Sequence, residues 1–184
     1  MELRPSSRAI PPVTLEDLAR DPDLWRLVRH LVDTDGVTAT LGRWLGYAPR
    51  LRLLERSEGP VAHSLRALLH AQGTERAQDR RIQFLTCHDE VVMDAQAVVV
   101  TNRLPLEARH CLRTTDTSLG TVLAGLRPRR HTLHWEALPA AGTDRAAVLE
   151  VTARVDLCAT PVAWVSETFQ LVALTSRRRT GGAR

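Results

Sequence analysis

The sequence lacks lysine and is poor in aromatic residues, which argues against a nucleic-acid-binding protein. All 25 basic residues are arginines, and the formal net charge is only +4. A surface made for phosphate contacts normally uses both basic residue types, and four Trp, two Phe and one Tyr leave few rings to stack on bases. We therefore expect no nucleic-acid partner.

Cysteine is also scarce, and no stretch of the chain resembles a targeting or membrane segment. The three cysteines, Cys87, Cys111 and Cys158, are an odd number without C-x-x-C spacing, so the sequence predicts neither a disulfide framework nor a zinc site. No Gly-rich phosphate loop occurs, and no apolar run has the length of a signal-peptide core or a membrane span. These absences predict a cytoplasmic protein without metal, cofactor or membrane contact.

Length and local composition divide the chain into one domain and two short tails. A chain of 184 residues with 43% hydrophobic residues can bury one substantial core. Residues 1–14 contain three prolines and little periodicity, which predicts a flexible arm. Residues 175–184 are basic and contain glycine, which predicts a disordered tail. The domain is expected to span residues 15–174.

Hydrophobic periodicity predicts an α+β fold for this domain. Apolar residues three or four positions apart indicate helices near Leu24, from Val37 and from Leu119, whereas alternation of apolar and polar residues indicates strands. The clearest strand covers residues 149–157, and a turn at residues 159–161 joins it to a strand over residues 163–171. The whole pattern predicts about six mostly antiparallel strands, with short helices covering one face of the sheet.

A carboxylate lies on the apolar side of the last predicted strand. Alternation places Glu167 on the same face as Val165, Phe169 and Leu171. An ionised carboxylate in apolar surroundings usually gains a cation, accepts hydrogen bonds or has its pKa raised, and each outcome is common at functional sites. The alternative is a structural glutamate that reaches water at the end of the core.

Two neighbouring arginines are separated by the same alternation in an earlier strand. Arg80 shares a face with Ile82 and Phe84, so it is predicted to be a partly buried cation, whereas Arg81 is predicted to be exposed. The helix starts at Val37 and Leu119 leave backbone N–H groups without helical partners, and such groups can hold an anion.

Three short motifs, taken in their order and separation, resemble the chorismate lyase (chorismate pyruvate-lyase) family over residues 23–174. The motifs are Arg80-Arg81-Ile82, Arg113-Thr114-Thr115-Asp116-Thr117-Ser118-Leu119-Gly120 and Ser166-Glu167-Thr168-Phe169. The resemblance implies a six-stranded antiparallel sheet with an enclosed, cofactor-free pocket. It also implies a carbon–oxygen lyase that eliminates pyruvate from chorismate to give a hydroxybenzoate. Such a lyase would belong to aromatic biosynthesis or secondary metabolism.

The resemblance also implies roles for individual residues. In that family, the arginine that Arg80 matches and backbone amides at the positions of Val37 and Leu119 hold the ring carboxylate. The glutamate that Glu167 matches lies at the ring-oxygen end, so Glu167 and Arg80 are the expected catalytic residues. A glutamic acid kept protonated by an apolar wall can donate a hydrogen bond as charge develops on the departing oxygen.

Departures from the family pattern leave two other functions open. Ser118 stands where the family usually has proline, and Val37 where it often has methionine. A one-residue shift between Arg80 and Glu90 would make Arg81 the arginine that matches the family motif. The chain could be a related enzyme acting on another ring carboxylate, or a non-catalytic protein that binds a small aromatic carboxylate. The same fold serves as the effector-sensing domain of some transcription regulators, although we expect no separate DNA-binding domain in the first 22 residues.

Overall fold

In the computed structural model, which describes residues 20–138, 148–171 and 173–174, one six-stranded antiparallel sheet organises the chain. The strands lie in the order β1-β2-β3-β6-β5-β4. Their bounds are β1 Arg50–Pro60, β2 Arg76–Leu85, β3 Val91–Val100, β4 Arg129–Leu138, β5 Val148–Leu157 and β6 Thr160–Gln170. The predicted α+β class and single domain are therefore confirmed.

Within the described ranges, five short α-helices connect or flank these strands. They are α1 Pro22–Asp33, α2 Val37–Leu45, α3 His63–Arg66, α4 Leu106–Thr114 and α5 Leu119–Leu123. The Asp21 carboxylate caps α1 by accepting hydrogen bonds from two backbone N–H groups, and the Ser118 hydroxyl caps α5 in the same way. α2 ends at Gly46, whose φ of 76° suits glycine. The helix starts predicted at Val37 and Leu119 are confirmed.

One face of the sheet carries the main core beneath four of the helices. Alternate residues of the central strands point to this face, including Met93 of β3 and Phe169 of β6. They pack against the apolar side of α1, where Leu24, Leu27 and Leu31 are almost fully buried. α4 and α5 cover the other half of the same face, over Ala97 and Val165 among others.

Among the described residues, those that cover the opposite face of the sheet lie only at one corner. There Leu65 of α3 and Trp164 of β6 pack against a small buried cluster that includes Val98, on the face opposite to Glu167. Elsewhere this face presents polar side chains to solvent, among them Arg81 and Gln83.

The strand ends extend further than their sequence patterns indicated. β1 continues to Pro60, β2 begins at Arg76 within a polar stretch, and β4 begins at Arg129. Each extension is paired with a neighbouring strand, and pairing satisfies backbone groups regardless of side-chain pattern. The predicted arm 1–14 and tail 175–184 lie outside the described residues.

Within the described ranges, every helix is too short or too polar to cross a lipid bilayer.

Candidate functional site

A small cavity lies between the main face of the sheet and the first turns of α2 and α5. Its volume is about 80 Å³. The floor is made of small and apolar side chains of β3 and β6, such as Ala95, Ala97 and Val165, and the roof includes Val37 and Leu119. The charged residues of its lining are Asp35, Arg130 and Glu167.

Glu167 and Arg130 form a buried ion pair in the wall of this cavity. Glu167 lies in the middle of β6, opposite Ala95 on one side and Val151 on the other, so its side chain points to the helix-covered face as predicted. Arg130 lies in the edge strand β4, and its Nη2 donates to Glu167 Oε2 at 2.6 Å. The two side chains are only 9% and 5% exposed.

Arg130 also ties the ion pair to the end of α1. Its Nη1 donates to the carbonyl oxygens of Leu31 and Val32, two of the last-turn carbonyls that lack a helical donor. Its backbone N–H donates to the Asp35 carboxylate at 2.7 Å, in the connection between α1 and α2. One arginine therefore joins the cavity wall, the α1 C-terminus and the connection that leads into the cavity roof.

Opposing effects act on the protonation of Glu167. Burial raises the pKa of its carboxyl group because water no longer stabilises the charge. The guanidinium of Arg130 partly opposes this rise by its charge and its hydrogen bond. The carboxylate can therefore exist either as the ionised partner of Arg130 or, if another anion takes that arginine, as a neutral acid with an O–H to donate.

The structure places the other predicted site residues in two locations. Val37 and Leu119 line the cavity beside Glu167. Arg80 is 2% exposed, and its neighbour Arg81 has a 60% exposed side chain, which confirms the predicted faces of β2. Arg80, however, is not among the cavity-lining residues, and its Nη2 donates to the Thr115 carbonyl oxygen at 3.1 Å. Its role as a ligand for a carboxylate stays a prediction.

Sequence analysis missed Arg130 and Asp35 as members of the site. Arg130 pairs with Val155, which points inward, so Arg130 shares that face. The register of β4 shifts between Thr132 and His134, and the extra residue reverses the alternation between Arg130 and the rest of the strand. The length of β5 is the sequence feature that could have located Arg130. The apolar residues of β5 extend to Leu157, so a strand that pairs with all of β5 must include Arg130.

The chain was compared with known proteins. No family model matches it. An uncharacterized protein of Sinorhizobium fredii, y4mC, is 28% identical, and the match covers 83% of this chain and 75% of the relative. Among solved structures, the effector domain of PhnF from Mycobacterium smegmatis has a TM-score of 0.56 at 12% identity, covering 74% of this chain and 90% of that domain.

Two further solved structures share the fold. A gene product of Staphylococcus aureus, SA0254, has a TM-score of 0.57 at 10% identity, covering 76% of this chain and 90% of that chain. A GntR-family transcriptional regulator from Bacillus cereus has a TM-score of 0.50 at 8% identity, covering 66% and 90% of the two chains. At such identities the likeness concerns the fold.

These findings correct the functional assignment made from the motifs. The similar folds belong to an effector domain and a transcriptional regulator, so membership of the chorismate lyase family and elimination of pyruvate from chorismate are wrong. The motifs misled because one fold can serve proteins of different function. That the chain is an enzyme of any kind stays a prediction, since none of these findings tests catalysis.

Proposed function

We propose that the chain is a non-catalytic domain that binds a small aromatic carboxylate in the cavity beneath α2 and α5. The observation that carries the proposal is the buried Arg130–Glu167 pair, which lines an otherwise largely apolar cavity. Likeness to the effector domain of PhnF supports a ligand-binding role. A cytoplasmic location is part of the proposal and agrees with the three free cysteines of the described chain.

The ion pair supplies a specific way to hold a carboxylate. A ligand carboxylate can take the place of Glu167 on Arg130, because a planar guanidinium fork matches any carboxylate. Glu167 then loses its cation in buried surroundings and takes up a proton, which burial already favours. The protonated Glu167 donates its O–H to the ligand. Binding therefore consumes about one proton for each ligand.

The size of the cavity adds a second requirement. A cavity of about 150 Å³ admits benzene in an engineered protein, and the cavity here measures about 80 Å³. A ring with a carboxylate therefore needs the roof to move outward. The two roof helices are not in tight contact at Gly120 of α5. A Cβ atom added to Gly120 would still lie 3.9 Å from Thr38 Oγ1 of α2. We expect α2 and α5 to separate there when the ligand enters.

Calorimetry with benzoate at several pH values tests the proposal. Where Glu167 is ionised in the free protein, the affinity should fall by up to about tenfold for each unit that the pH rises, because binding takes up a proton. Titrations in buffers of different ionisation enthalpy should count about one proton taken up per ligand. Glu167→Gln, which mimics the neutral acid, should bind benzoate at least as tightly and without this pH dependence.

A matched control is Glu150→Gln, because Glu150 is exposed on the neighbouring strand β5. This variant should keep the pH dependence of the parent. A parent affinity that is independent of pH would contradict the exchange at Arg130. Turnover of a ring carboxylate by the parent, lost in Glu167→Gln, would contradict the non-catalytic assignment.

A further inference from the structure

A larger groove lies directly outside the cavity, between α2 and α5. Its volume is about 680 Å³, whereas the cavity measures about 80 Å³. The groove follows α2 from Gly36 to Gly46, a distance of about 15 Å at 1.5 Å per residue. Thr38 of α2 and Gly120 of α5 line both the groove and the cavity. These two residues therefore form the boundary between the two spaces.

The lining of the groove suits an apolar chain. Eight of its twelve residues are glycine, alanine or proline. Ala39 of α2 and Ala124, which directly follows α5, are exposed on its two sides. Its charged residue, Arg43, donates to Thr40 Oγ1 of the same helix at 3.2 Å. Contact with an apolar group would remove this exposed apolar surface from water, which is favourable.

The boundary between the cavity and the groove can open at little cost. Gly120 has no side chain, and a Cβ atom added to it would meet Thr38 Oγ1 only at 3.9 Å. Since close packing is what resists the displacement of one helix from another, α2 and α5 resist it weakly at this point. An unbranched chain of methylene groups is narrower than an aromatic ring, so it needs only a small displacement to pass here.

The cavity supplies an anchor for a ligand that extends into the groove. Arg130 donates to Glu167 through Nη2, and its Nε, in the same 5% exposed side chain, has no hydrogen-bond partner. Nε and Nη2 form one edge of the planar guanidinium, and a carboxylate can accept from both at once. The glutamate therefore uses only half of an edge that a ligand carboxylate could occupy fully.

We propose that the ligand is an aromatic carboxylate whose ring carries an unbranched apolar chain, and that this chain lies in the groove between α2 and α5. The inference rests on the proposed function and specifies its ligand. Arg130 holds the carboxylate in the cavity, and the apolar chain passes between Thr38 and Gly120. Its outer part then covers Ala39 and Ala124. Burial of the apolar chain offsets the separation of α2 and α5, which a bare ring requires without that gain.

Calorimetric titration of the full protein with benzoate and its alkyl derivatives tests the proposal. The derivatives carry an ethyl, butyl or hexyl group in the para or the meta position. In at least one of these two series, the affinity should rise by about two- to fourfold for each added methylene, the range for its partial to full burial. The butyl compound of that series should still take up about one proton when it binds, because its carboxylate still replaces Glu167 on Arg130.

Filling the groove should remove the gain from the alkyl group. Ala124→Leu enlarges a residue that lines the groove but not the cavity. The variant should bind the butyl compound at least about fivefold more weakly than the parent does, and benzoate within about twofold of the parent. Ala39→Leu, on the other side of the groove, should act in the same way. The matched control is Ala67→Leu, since Ala67 is likewise an exposed alanine in helical conformation at the C-cap of its helix, α3, outside the groove. It should leave both affinities unchanged.

The outcomes distinguish failure of this inference from failure of the proposed function. Benzoate that binds with proton uptake, but no more weakly than any alkyl derivative, would overturn the inference alone. A gain that survives in both Ala124→Leu and Ala39→Leu would also overturn it, because the alkyl group would then lie elsewhere. If Ala124→Leu instead changes the molar mass of the protein measured by light scattering, and not the affinity, the groove is an interface between two molecules of the protein and the inference is wrong. Binding of none of these probes would overturn both proposals.

Discussion

At the scale of single residues, the Arg103 guanidinium makes five hydrogen bonds to other parts of the described structure. Its guanidinium donates to the carbonyl oxygens of Leu69, His70 and Pro161 and to the carboxylate of Glu75. Both partners of the ion pair are 14% exposed. Arg103 therefore joins the segment after α3 to the start of β6.

Replacing Arg103 by methionine should destabilise the protein substantially. The change removes several hydrogen bonds and leaves the partly buried Glu75 carboxylate without its cation, which should cost about 2 kcal/mol of unfolding free energy. Urea denaturation of parent and variant measures the difference. Arg81→Met is the matched control, because the Arg81–Glu55 contact is 3.9 Å long and exposed, and its loss should cost less than about 0.5 kcal/mol.

The same ion pair predicts a pH dependence of stability. The hydrogen bond from Arg103 lowers the pKa of Glu75, although burial acts in the opposite direction. A carboxyl group with a lowered pKa in the folded state stabilises the protein above its unfolded-state pKa and loses that contribution as the pH falls through the lowered value. The difference in unfolding free energy between parent and Arg103→Met should therefore shrink on acidification below about pH 4.5. A difference that stays constant to pH 3 would show that Glu75 does not depend on Arg103.

At the scale of elements, the β5–β6 hairpin has a tight turn made of unsuitable residues. Leu157 pairs with Thr160, so the loop contains only Cys158 and Ala159. Both have positive φ, 49° and 65°, as a type I′ turn requires. A positive φ is energetically unfavourable for most residues with a Cβ, whereas glycine and asparagine adopt it more readily. The turn lies one residue earlier than the sequence predicted.

The double variant Cys158→Asn/Ala159→Gly should stabilise the protein. Relief of the left-handed conformation is expected to raise the unfolding free energy by about 1 kcal/mol, after the greater flexibility of glycine in the unfolded chain is subtracted. Thermal and urea denaturation measure the change. Cys87→Asn, at an exposed cysteine without positive φ, should have an effect within about 0.5 kcal/mol. A double variant less stable than the parent would contradict the assignment of strain.

Element boundaries show which parts of the fold could be predicted. The alternation in residues 149–157 located β5 to within one residue, because that strand buries one complete face. The sequence does not mark where the edge strand β4 begins, because its bulge at Leu133 breaks the alternation and its exposed side chains do not mark a face. Glu167 could therefore be found from the sequence, but its partner Arg130 could not.

At the scale of the whole molecule, one continuous sheet should unfold as a unit. Trp44 packs in the main core, and Trp164 packs in the corner cluster beneath α3 on the opposite face. Because both clusters share the central strands, urea unfolding followed by tryptophan fluorescence and by far-UV circular dichroism should give coincident midpoints. An earlier fluorescence transition that disappears in Trp164→Phe would show instead that the corner cluster opens separately.

The position of β6 in the sheet has a consequence for the order of assembly during synthesis. β6 is the last described strand along the chain, yet it lies between β3 and β5 and is the one strand that joins the two halves of the sheet. A nascent chain that has emerged only through β5 can pair β1, β2 and β3 with one another, and β4 with β5. Until β6 is synthesised, the two halves of the sheet each have an unpaired inner edge. During this interval the nascent chain is most prone to pair with the strands of other molecules.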